Sequence, residues 1–379
     1  MAASLYIHIP FCQSKCRYCS FSSYAGLQEL FSRYVSAVKS ELRQLADSAR
    51  HNRLVTLETV FFGGGTPTVL PAEALADILR LSLSLFPCSP GAEISIEANP
   101  GTIDSKNLAL LRQGGFNRLS IGIQSLSAAE LTMLGRCHTP HEAIEGFAQA
   151  RKAGFTNISL DLMYGLCGQT LDSWRQTLES ALALRPDHLS LYQLTIEEGT
   201  PVADMVEWGE LHLPDEEVIL AMDEMNIRKC GRAGLALYEV SNFARDGCKC
   251  RHNINYWRND EYLAAGAGAV SYLQGERQRR VSDPEEYCRR LEHGHTAIID
   301  SETLEPEASF RESVIMGLRM TEGIALNRLR ERYGIDPAEY YGKTLDKLIA
   351  QRLVELTPSH LRVTAEGRVF SNFILAELV

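Results

Sequence analysis

The sequence predicts an α/β protein: a partial (β/α)6 barrel of the TIM type, followed by a small, mainly helical C-terminal domain that resembles a winged helix. Over roughly the first 200 residues, six short runs rich in β-branched and aromatic residues alternate with longer segments of helical period. From about residue 309 the pattern becomes three helices, a hairpin and a last helix. A composition of 45% hydrophobic and 23% charged residues is that of a globular protein.

The six short runs are the predicted strands of the barrel. Between them, apolar residues three and four positions apart give the connecting helices one apolar face, as from Leu30 to Leu45. Such alternation argues for parallel strands with helices outside, and six units instead of eight predict an open barrel with its chemistry at the carboxyl ends of the strands. The predicted strands are Leu5 to Ile9, Thr59 to Phe62, Glu93 to Glu97, Arg118 to Ile123, Ile158 to Met163 and Leu189 to Leu194.

Three regions are predicted along the chain. The barrel occupies residues 1–235, a connecting segment residues 236–300, and the C-terminal domain residues 301–379. Winged helices are usually associated with DNA, but this one carries 10 Lys and Arg against 12 Asp and Glu. Because a net charge of −2 provides no phosphate-binding face, we expect a packing or lid domain.

Charge and hydropathy exclude several classes of protein. With 38 Lys and Arg against 48 Asp and Glu, the formal net charge of −10 is a poor match for nucleic acid or an anionic bilayer. No apolar run approaches the roughly 20 residues that cross a membrane, and no signal peptide precedes the first predicted strand. We therefore expect a cytoplasmic protein, with a peripheral position at the inner face of the membrane left open, whose cysteines stay reduced.

Three cysteines form the sharpest pattern in the sequence. Cys12, Cys16 and Cys19 have the spacing C-x3-C-x2-C directly after the first predicted strand. A zinc site or three unrelated thiols are the alternatives, but structural zinc takes four ligands and no fourth partner stands nearby in the sequence. Three closely spaced thiolates suit a 4Fe-4S cluster held at three of its irons, with the fourth iron open to a small molecule.

This spacing resembles that of the radical S-adenosylmethionine (SAM) superfamily, and further segments extend the resemblance. The glycine-rich segment FFGGGTPT, Phe61 to Thr68, ends the second predicted strand, where glycine permits a close approach to the backbone. Polar side chains end the next strands, where each by itself is also compatible with an ordinary strand end. They are Glu97 in SIEANP, Gln124 in SIGIQS and Asp161 in LDLMYG, with Arg136 in LGRCH after the fourth strand.

Together these residues resemble the SAM-binding set of the oxygen-independent coproporphyrinogen III oxidase group. The resemblance implies a reduced cluster that cleaves SAM to methionine and a 5′-deoxyadenosyl radical, supplied by an electron donor such as flavodoxin or ferredoxin. Tyr18 would pack near the adenine or the cluster, with a plain surface tyrosine as the alternative. The implied set is Tyr6 beside the cluster, Gly64, Gly65 and Thr66 against the cofactor, and Glu97, Gln124, Arg136 and Asp161 around its pocket.

Two functional classes share this barrel, and two departures distinguish them. The oxidases carry a further cysteine two positions after the third ligand, where this chain has Phe21, and they have a long N-terminal extension, whereas Cys12 stands near the start here. The resemblance is therefore to the HemW haem chaperones. It implies that the chain binds haem as cargo and passes it to haem-requiring membrane or respiratory proteins, with a cluster-dependent homodimer left open. The alternative is oxidative decarboxylation of coproporphyrinogen III to protoporphyrinogen IX.

A second motif carries the same resemblance. His252, Asn253, Tyr256 and Trp257 lie in HNINYW, which is similar to the H-N-x-x-Y-W sequence associated with haem binding in the HemW group. Imidazole is a common haem ligand, and aromatic rings offer flat faces to a porphyrin. The alternatives are a histidine and aromatics that pack against the barrel, or Cys248 and Cys250 as the iron ligands. A nucleic-acid-modifying radical enzyme is the third hypothesis, and the acidic chain without a basic arm argues against it.

Overall fold

A computed structural model describes residues 2–52 and 56–379 of the chain. The strands are β1 (Ala2–Ile9), β2 (Phe11–Cys12), β3 (Tyr24–Ala25), β4 (Thr56–Gly64), β5 (Cys88–Ala98), β6 (Arg118–Gln124), β7 (Ile158–Tyr164), β8 (His188–Gln193), β9 (Ala236–Leu237), β10 (Asn242–Ala244), β11 (Tyr262–Ala265), β12 (Val270–Leu273), β13 (Glu276–Arg280), β14 (Ile298–Thr303), β15 (Ile324–Ala325), β16 (Val354–Leu356) and β17 (His360–Val363). The helices are α1 (Phe31–Asn52), α2 (Ala72–Leu85), α3 (Ser105–Gln113), α4 (Ala128–Leu134), α5 (Pro140–Lys152), α6 (Leu171–Ala183), α7 (Pro201–Glu207), α8 (Glu216–Arg232), α9 (Arg251–Trp257), α10 (Pro284–Glu292), α11 (Pro306–Gly317), α12 (Leu326–Tyr333), α13 (Pro337–Tyr341), α14 (Lys343–Ala350) and α15 (Ser371–Glu377).

Six parallel strands form the centre of the molecule. Strands β1, β4, β5, β6, β7 and β8 lie side by side in that order, and each coincides with one of the predicted strands. Beyond them, β11 pairs with β1 and β10 pairs with β8, so in the described residues the first and sixth barrel strands do not meet. The predicted open (β/α)6 barrel is confirmed.

The edge of the sheet beside β1 is longer than the sequence predicts. Strand β11 runs parallel to β1, and β12, β13 and β14 continue outward as antiparallel neighbours. These strands come from the stretch that we described as a connecting segment. That stretch therefore builds part of the main sheet and also carries helix α9.

Alternation along β1 separates the core from the barrel interior. Successive side chains of a strand point to opposite faces. Leu5 and Ile7 belong to the large buried cluster together with Tyr34 of α1. On the opposite face, Ser4 and Tyr6 contact residues of the barrel interior. The first strand thus anchors the outer helix on one face and contributes polar groups to the interior on the other.

A buried ion pair joins α1 to the added strands. The Arg280 side chain is 0% exposed and its Nε donates to Glu41 Oε1 at 2.8 Å. The second carboxylate oxygen of Glu41 accepts from the Tyr287 hydroxyl at 2.5 Å and from the Gly266 amide at 2.9 Å. Every oxygen of this buried carboxylate is satisfied, which is the condition under which such a pair is tolerated.

The C-terminal domain has its own core and a winged-helix arrangement. Strands β15, β17 and β16 form a three-stranded antiparallel sheet behind helices α11 to α14. Phe310, Leu329 and Leu348 lie in a separate buried cluster. The domain contacts the rest of the chain through ion pairs such as Arg258–Glu322, 3.1 Å, and Arg328–Asp260. In the described part of the chain, no helix is both long enough and apolar enough to cross a membrane.

Candidate functional site

The three-cysteine loop follows β1 at the carboxyl rim of the barrel. Its backbone is fixed from two sides, because the Arg17 amide donates to the Leu134 carbonyl at 3.0 Å and the Val202 amide donates to the Arg17 carbonyl at 3.0 Å. Within the loop, the Cys19 amide donates to the Cys16 carbonyl at 3.3 Å. The ends of α4 and α7 therefore hold the segment that carries the thiols.

The predicted site residues surround one cavity at this rim, which we call the rim cavity. Its volume is about 360 Å³, and it is lined by all three cysteines of the loop. Eight of the nine predicted cofactor residues line it as well, whereas Tyr6 lies in a second cavity deeper in the barrel. The lining residues among the predictions are Cys12, Cys16, Cys19, Tyr18, Gly64, Gly65, Thr66, Glu97, Gln124, Arg136 and Asp161.

Two glycines let the end of β4 approach the cysteine loop. A Cβ on Gly65 would lie 2.6 Å from the Phe11 carbonyl oxygen and 3.0 Å from Cys12 Sγ. Gly64 has φ +116°, and a Cβ there would lie 2.6 Å from the His8 ring. Larger residues would have to push the loop away, so the glycine-rich segment determines the depth of the rim cavity.

A hydrogen-bond chain connects two of the three thiols. Asn99 Nδ2 donates to Thr66 Oγ1 at 2.8 Å, and Thr66 Oγ1 lies 3.7 Å from Cys12 Sγ. On its other side, Asn99 Oδ1 accepts from Arg136 Nη2 at 2.6 Å. Arg136 Nη1 in turn donates to Cys16 Sγ at 3.4 Å. Asn99 therefore fixes the positions of both the hydroxyl and the guanidinium that contact the cysteines.

Replacing Asn99 by alanine should loosen this chain. We expect a loss of about 1–3 kcal/mol in the free energy of unfolding, because the Arg136 guanidinium and the Thr66 hydroxyl each lose one hydrogen bond, while Arg136 Nη2 keeps its bond to the Gly122 carbonyl. We also expect weaker SAM binding, measured by calorimetry on the reconstituted protein. Asn107→Ala is the matched control, since the Asn107 side chain donates to the exposed Asp104 and does not line the rim cavity. Equal behaviour of the two variants would contradict the role given to Asn99.

Two carboxylates face the rim cavity, one near the end of β5 and one in the middle of β7. Burial, with the charge of Asp161 as the second cause, raises the pKa of Glu97 to about 8. Burial also raises the pKa of Asp161, although Ser120 and Ser159 donate to its oxygens at 2.9–3.0 Å. Glu97 accepts from the Gly64 amide at 3.3 Å. Glu97 is consequently protonated near neutral pH, whereas the serines hold Asp161 in place.

Several residues of the rim cavity were not among the sequence predictions. Asn99 is one, although it stands two positions after Glu97 in SIEANP. Two others are the last residues of β8 and two follow it closely; β8 is the one barrel strand to which we assigned no site residue. The polar-residue-after-strand pattern applied to the other strands would have found them: they are Tyr192, Gln193, Thr195 and Glu197.

The donor set fits a cluster with SAM beside it. In the described residues no three His, Cys, Asp or Glu side chains converge on a point where one metal ion could be held, and the three thiols instead face a common cavity. Burial raises the pKa of Cys12, opposed by the Thr66 hydroxyl, and Arg136 Nη1 donates to Cys16 Sγ. Arg136 Nε is buried and has no partner within residues 2–52 and 56–379, so it remains available to an anionic ligand.

The HNINYW motif forms helix α9 and divides between two environments. His252 is 1% exposed, with Nδ1 2.6 Å from Thr59 Oγ1 and Nε2 3.0 Å from the Tyr256 hydroxyl. Since Thr59 donates to Ser4 at 2.8 Å, the assigned tautomer has Nδ1–H donating to Thr59 and Nε2 accepting from Tyr256. Burial lowers the pKa of His252 to about 3, so the ring is neutral.

The rest of the motif lies around this histidine. Asn253 and Tyr256 line the deeper cavity, of about 250 Å³, together with Tyr6. Trp257 does not line this cavity, and the Arg319 guanidinium lies 5.6 Å from the centroid of its ring. Both ring nitrogens of His252 are engaged, so haem ligation by this residue stays a prediction that requires α9 to move.

The two cysteines before α9 occupy different positions. Cys250 is buried with its Sγ 3.6 Å from Glu93 Oε1, and burial raises its pKa to about 12. Cys248 is half-buried, and burial also raises its pKa. Because the thiolate is the form that ligates iron, Cys250 is poorly suited to this role as placed.

The fold and the rim site define the class of the protein. Residues 6–181 match the Radical SAM superfamily, and residues 304–370 match the HemN C-terminal domain. The solved structure of coproporphyrinogen III oxidase (HemN) from Escherichia coli, described as a radical SAM enzyme, superposes with a TM-score of 0.85 at 24% identity. The match covers 99% of this chain and 89% of that one. At this identity the likeness shows the fold alone, whereas the family match shows that residues 6–181, which include the three-cysteine loop, form a radical SAM domain.

Similarity over the full length specifies the family. The heme chaperone HemW of Bacillus subtilis is 34% identical over 97% of both chains. The HemW of Mycobacterium tuberculosis is 33% identical over 99% of this chain and 94% of its own length. The mitochondrial radical S-adenosyl methionine domain-containing protein 1 of zebrafish, Danio rerio, is 33% identical over 100% of this chain and 87% of its own. The chain belongs to the HemW family.

Proposed function

We propose that this protein binds haem and hands it to haem-requiring membrane or respiratory proteins. The observation that carries the proposal is the full-length similarity to proteins named heme chaperones. The position two residues after Cys19 supports it, because Phe21 is 67% exposed there and lines the rim cavity where the oxidases have a further cysteine. The proposed location is the cytoplasm, with a peripheral position at the inner face of the membrane.

We further propose that Cys12, Cys16 and Cys19 hold a 4Fe-4S cluster and that SAM binds in the rim cavity. When bound and reduced, the cluster supplies the electron that cleaves the sulfonium of SAM. Arg136 pairs the methionine carboxylate through its free Nε donor, and Glu97 accepts from the hydroxyl or ammonium donors of SAM. Tyr18 packs with Leu134 and Met163 at the edge of the site and limits water access.

The affinity for SAM should rise with pH. Both protonation states of Glu97 can accept hydrogen bonds, but the ionised carboxylate accepts them more strongly, and the pKa of about 8 makes ionisation costly below pH 8. We expect the Kd to fall by up to roughly 20-fold between pH 6.5 and 8.5, measured by calorimetry. The α-amino group of SAM titrates in the same range, with an ordinary pKa of about 8. Glu97→Gln therefore serves as the control, and an unchanged pH dependence in this variant would contradict the assignment.

The experiment for the main proposal is a comparison of two substrates under anaerobic reducing conditions. Protein reconstituted with iron and sulfide is titrated with haem and, separately, incubated with SAM and coproporphyrinogen III. We expect stable haem binding, followed by transfer to an apo-haemoprotein, and no loss of propionates from coproporphyrinogen. Formation of protoporphyrinogen IX without retained haem would overturn the chaperone proposal in favour of the decarboxylating oxidase. The proposal also includes an electron donor such as flavodoxin or ferredoxin, which would reduce the cluster. It further includes a homodimer that forms when the cluster is present.

A further inference from the structure

A second large cavity lies between the barrel and the C-terminal domain, and we call it the interdomain cavity. Its volume is about 590 Å³, within the roughly 300–1,000 Å³ of ligand and cofactor sites. Its walls come from residues 237–240, the end of α11, and the chain from β17 to α15. Within the described chain it shares no lining residue with the rim cavity, so it is not part of the SAM site.

Apolar side chains from both domains cover its inner surface. Leu318, Met320 and Leu375 are buried, and Leu237 and Val240 face them from the barrel side. Val240 is 43% exposed at the edge of the cavity. An apolar cleft between two domains suits a flat hydrophobic ligand that enters from the solvent and is later released.

Arginines surround this apolar surface together with Glu355 and Glu366, and two of the arginines form no ion pair in the described residues. Arg362 pairs with Glu355, and Arg368 lies 4.0 Å from Asp223. Arg319 and Arg352 form no ion pair with any residue that the structure describes. Guanidinium groups beside an apolar cleft are suited to carboxylates at the edge of a hydrophobic ligand.

A buried acid lies on the same wall, and one of its two oxygens has no well-formed hydrogen bond within the described chain. Glu239 is 1% exposed, lines the cavity, and its Oε1 makes no hydrogen bond within the described residues. The Ser241 and Val240 amides and the Asn242 and Trp257 side chains also act on this carboxyl, so its neighbours hold it on the cavity wall. Burial raises the pKa of Glu239 to about 7, opposed by the Ser241 amide, so that a protonated carboxyl can donate to an anionic ligand.

We propose that the interdomain cavity is the haem-binding site, an inference that rests on the proposed chaperone function. The macrocycle packs against Leu318, Met320 and Leu375, and the two propionates pair with Arg319 and Arg352. The HNINYW motif then contributes through Trp257. Its ring lies 5.6 Å from the Arg319 guanidinium and helps to position that group beside the cavity. An acidic peptide fits less well, because the site is a cleft with apolar walls and only two free cations.

The test uses the full-length, anaerobically reconstituted protein and three tetrapyrroles: haem, metal-free protoporphyrin IX and its dimethyl ester. Since recognition rests on propionates and apolar walls, metal-free protoporphyrin should bind within tenfold of haem, and the ester at least tenfold more weakly. Arg319→Gln and Arg352→Gln should each raise the Kd for haem about tenfold, as expected for a charge-assisted hydrogen bond. The control is Arg279→Gln, whose partner Asp300 lies on β14, outside the cavity lining. Circular dichroism checks that each variant is folded.

The outcomes separate this inference from the proposed function. Haem binding that is weakened by the cavity variants but unchanged in Arg279→Gln supports the site. Wild-type affinity in both cavity variants, or equal binding of the dimethyl ester, overturns it and leaves the chaperone function standing. Loss of haem binding in His252→Ala, with both arginine variants unaffected, would place haem at the motif instead. If the wild type binds no haem, the proposed function fails and this inference fails with it.

Discussion

Replacing any one of Cys12, Cys16 and Cys19 by alanine is expected to abolish the 4Fe-4S cluster. Each thiol faces the rim cavity from a different position in the loop, and no other cysteine lines that cavity in the described structure. A cluster already held at only three irons has no spare protein ligand to replace the lost one. After anaerobic reconstitution, each variant should lack the brown absorbance and the bound iron and sulfide of the wild type.

The control for this experiment is Cys137→Ala. Cys137 is exposed and its Sγ lies 2.9 Å from the Ser14 hydroxyl, so it contacts the same loop without lining the cavity. We expect this variant to retain a full complement of iron and sulfide. A single variant at Cys12, Cys16 or Cys19 that kept a complete cluster would contradict the ligand assignment.

The second large effect is expected at the buried ion pair of α1. Glu41→Ala leaves the fully buried Arg280 guanidinium without its carboxylate and removes the partner of Tyr287. An uncompensated buried charge costs about 3–5 kcal/mol, so the variant should lose most of its folding stability in urea denaturation. The damage should also reach the site, because Tyr34 donates to the His8 carbonyl at 2.8 Å and accepts from the Ala267 amide at 2.8 Å beside this pair.

A solvent-exposed ion pair between α1 and α10 provides the comparison. Arg33 and Glu292 pair at 2.9 Å with both side chains more than 40% exposed. Glu292→Ala should cost less than about 1 kcal/mol, as is typical of surface ion pairs. Similar denaturation midpoints for the two variants would show that the Glu41–Arg280 pair is not the structural link we describe.

The parts of the site that lie on successive parallel strands could be predicted from the sequence. Glu97 and Gln124 lie at the ends of β5 and β6, Asp161 lies in the neighbouring β7, and the carboxyl ends of parallel strands meet at one rim. Gln124 also takes a left-handed conformation, with φ +60°, which nothing in its sequence context indicates. The alternation of apolar runs and helical segments therefore suffices to bring distant polar residues to one place.

The parts that depend on side chains from unrelated segments could not be predicted. Asn99 is important because its side chain bonds to both Thr66 and Arg136. The numbers of residues that separate Asn99 from these two partners follow no regular spacing. Glu41 and Arg280 pair across more than 200 residues. The strands β12 to β14 escaped prediction because they form an antiparallel edge, and β13 reads ERQRR without apolar alternation.

The central claim is that three cysteines at the barrel rim hold a cluster whose open iron faces bound SAM. The most direct measurement is electron paramagnetic resonance of the anaerobically reconstituted, reduced protein with and without SAM. We expect a signal of a reduced 4Fe-4S cluster whose g-values change when SAM is added, and no such change in Arg136→Ala. A reduced cluster whose spectrum SAM leaves unaltered, or no cluster signal at all, would contradict the account.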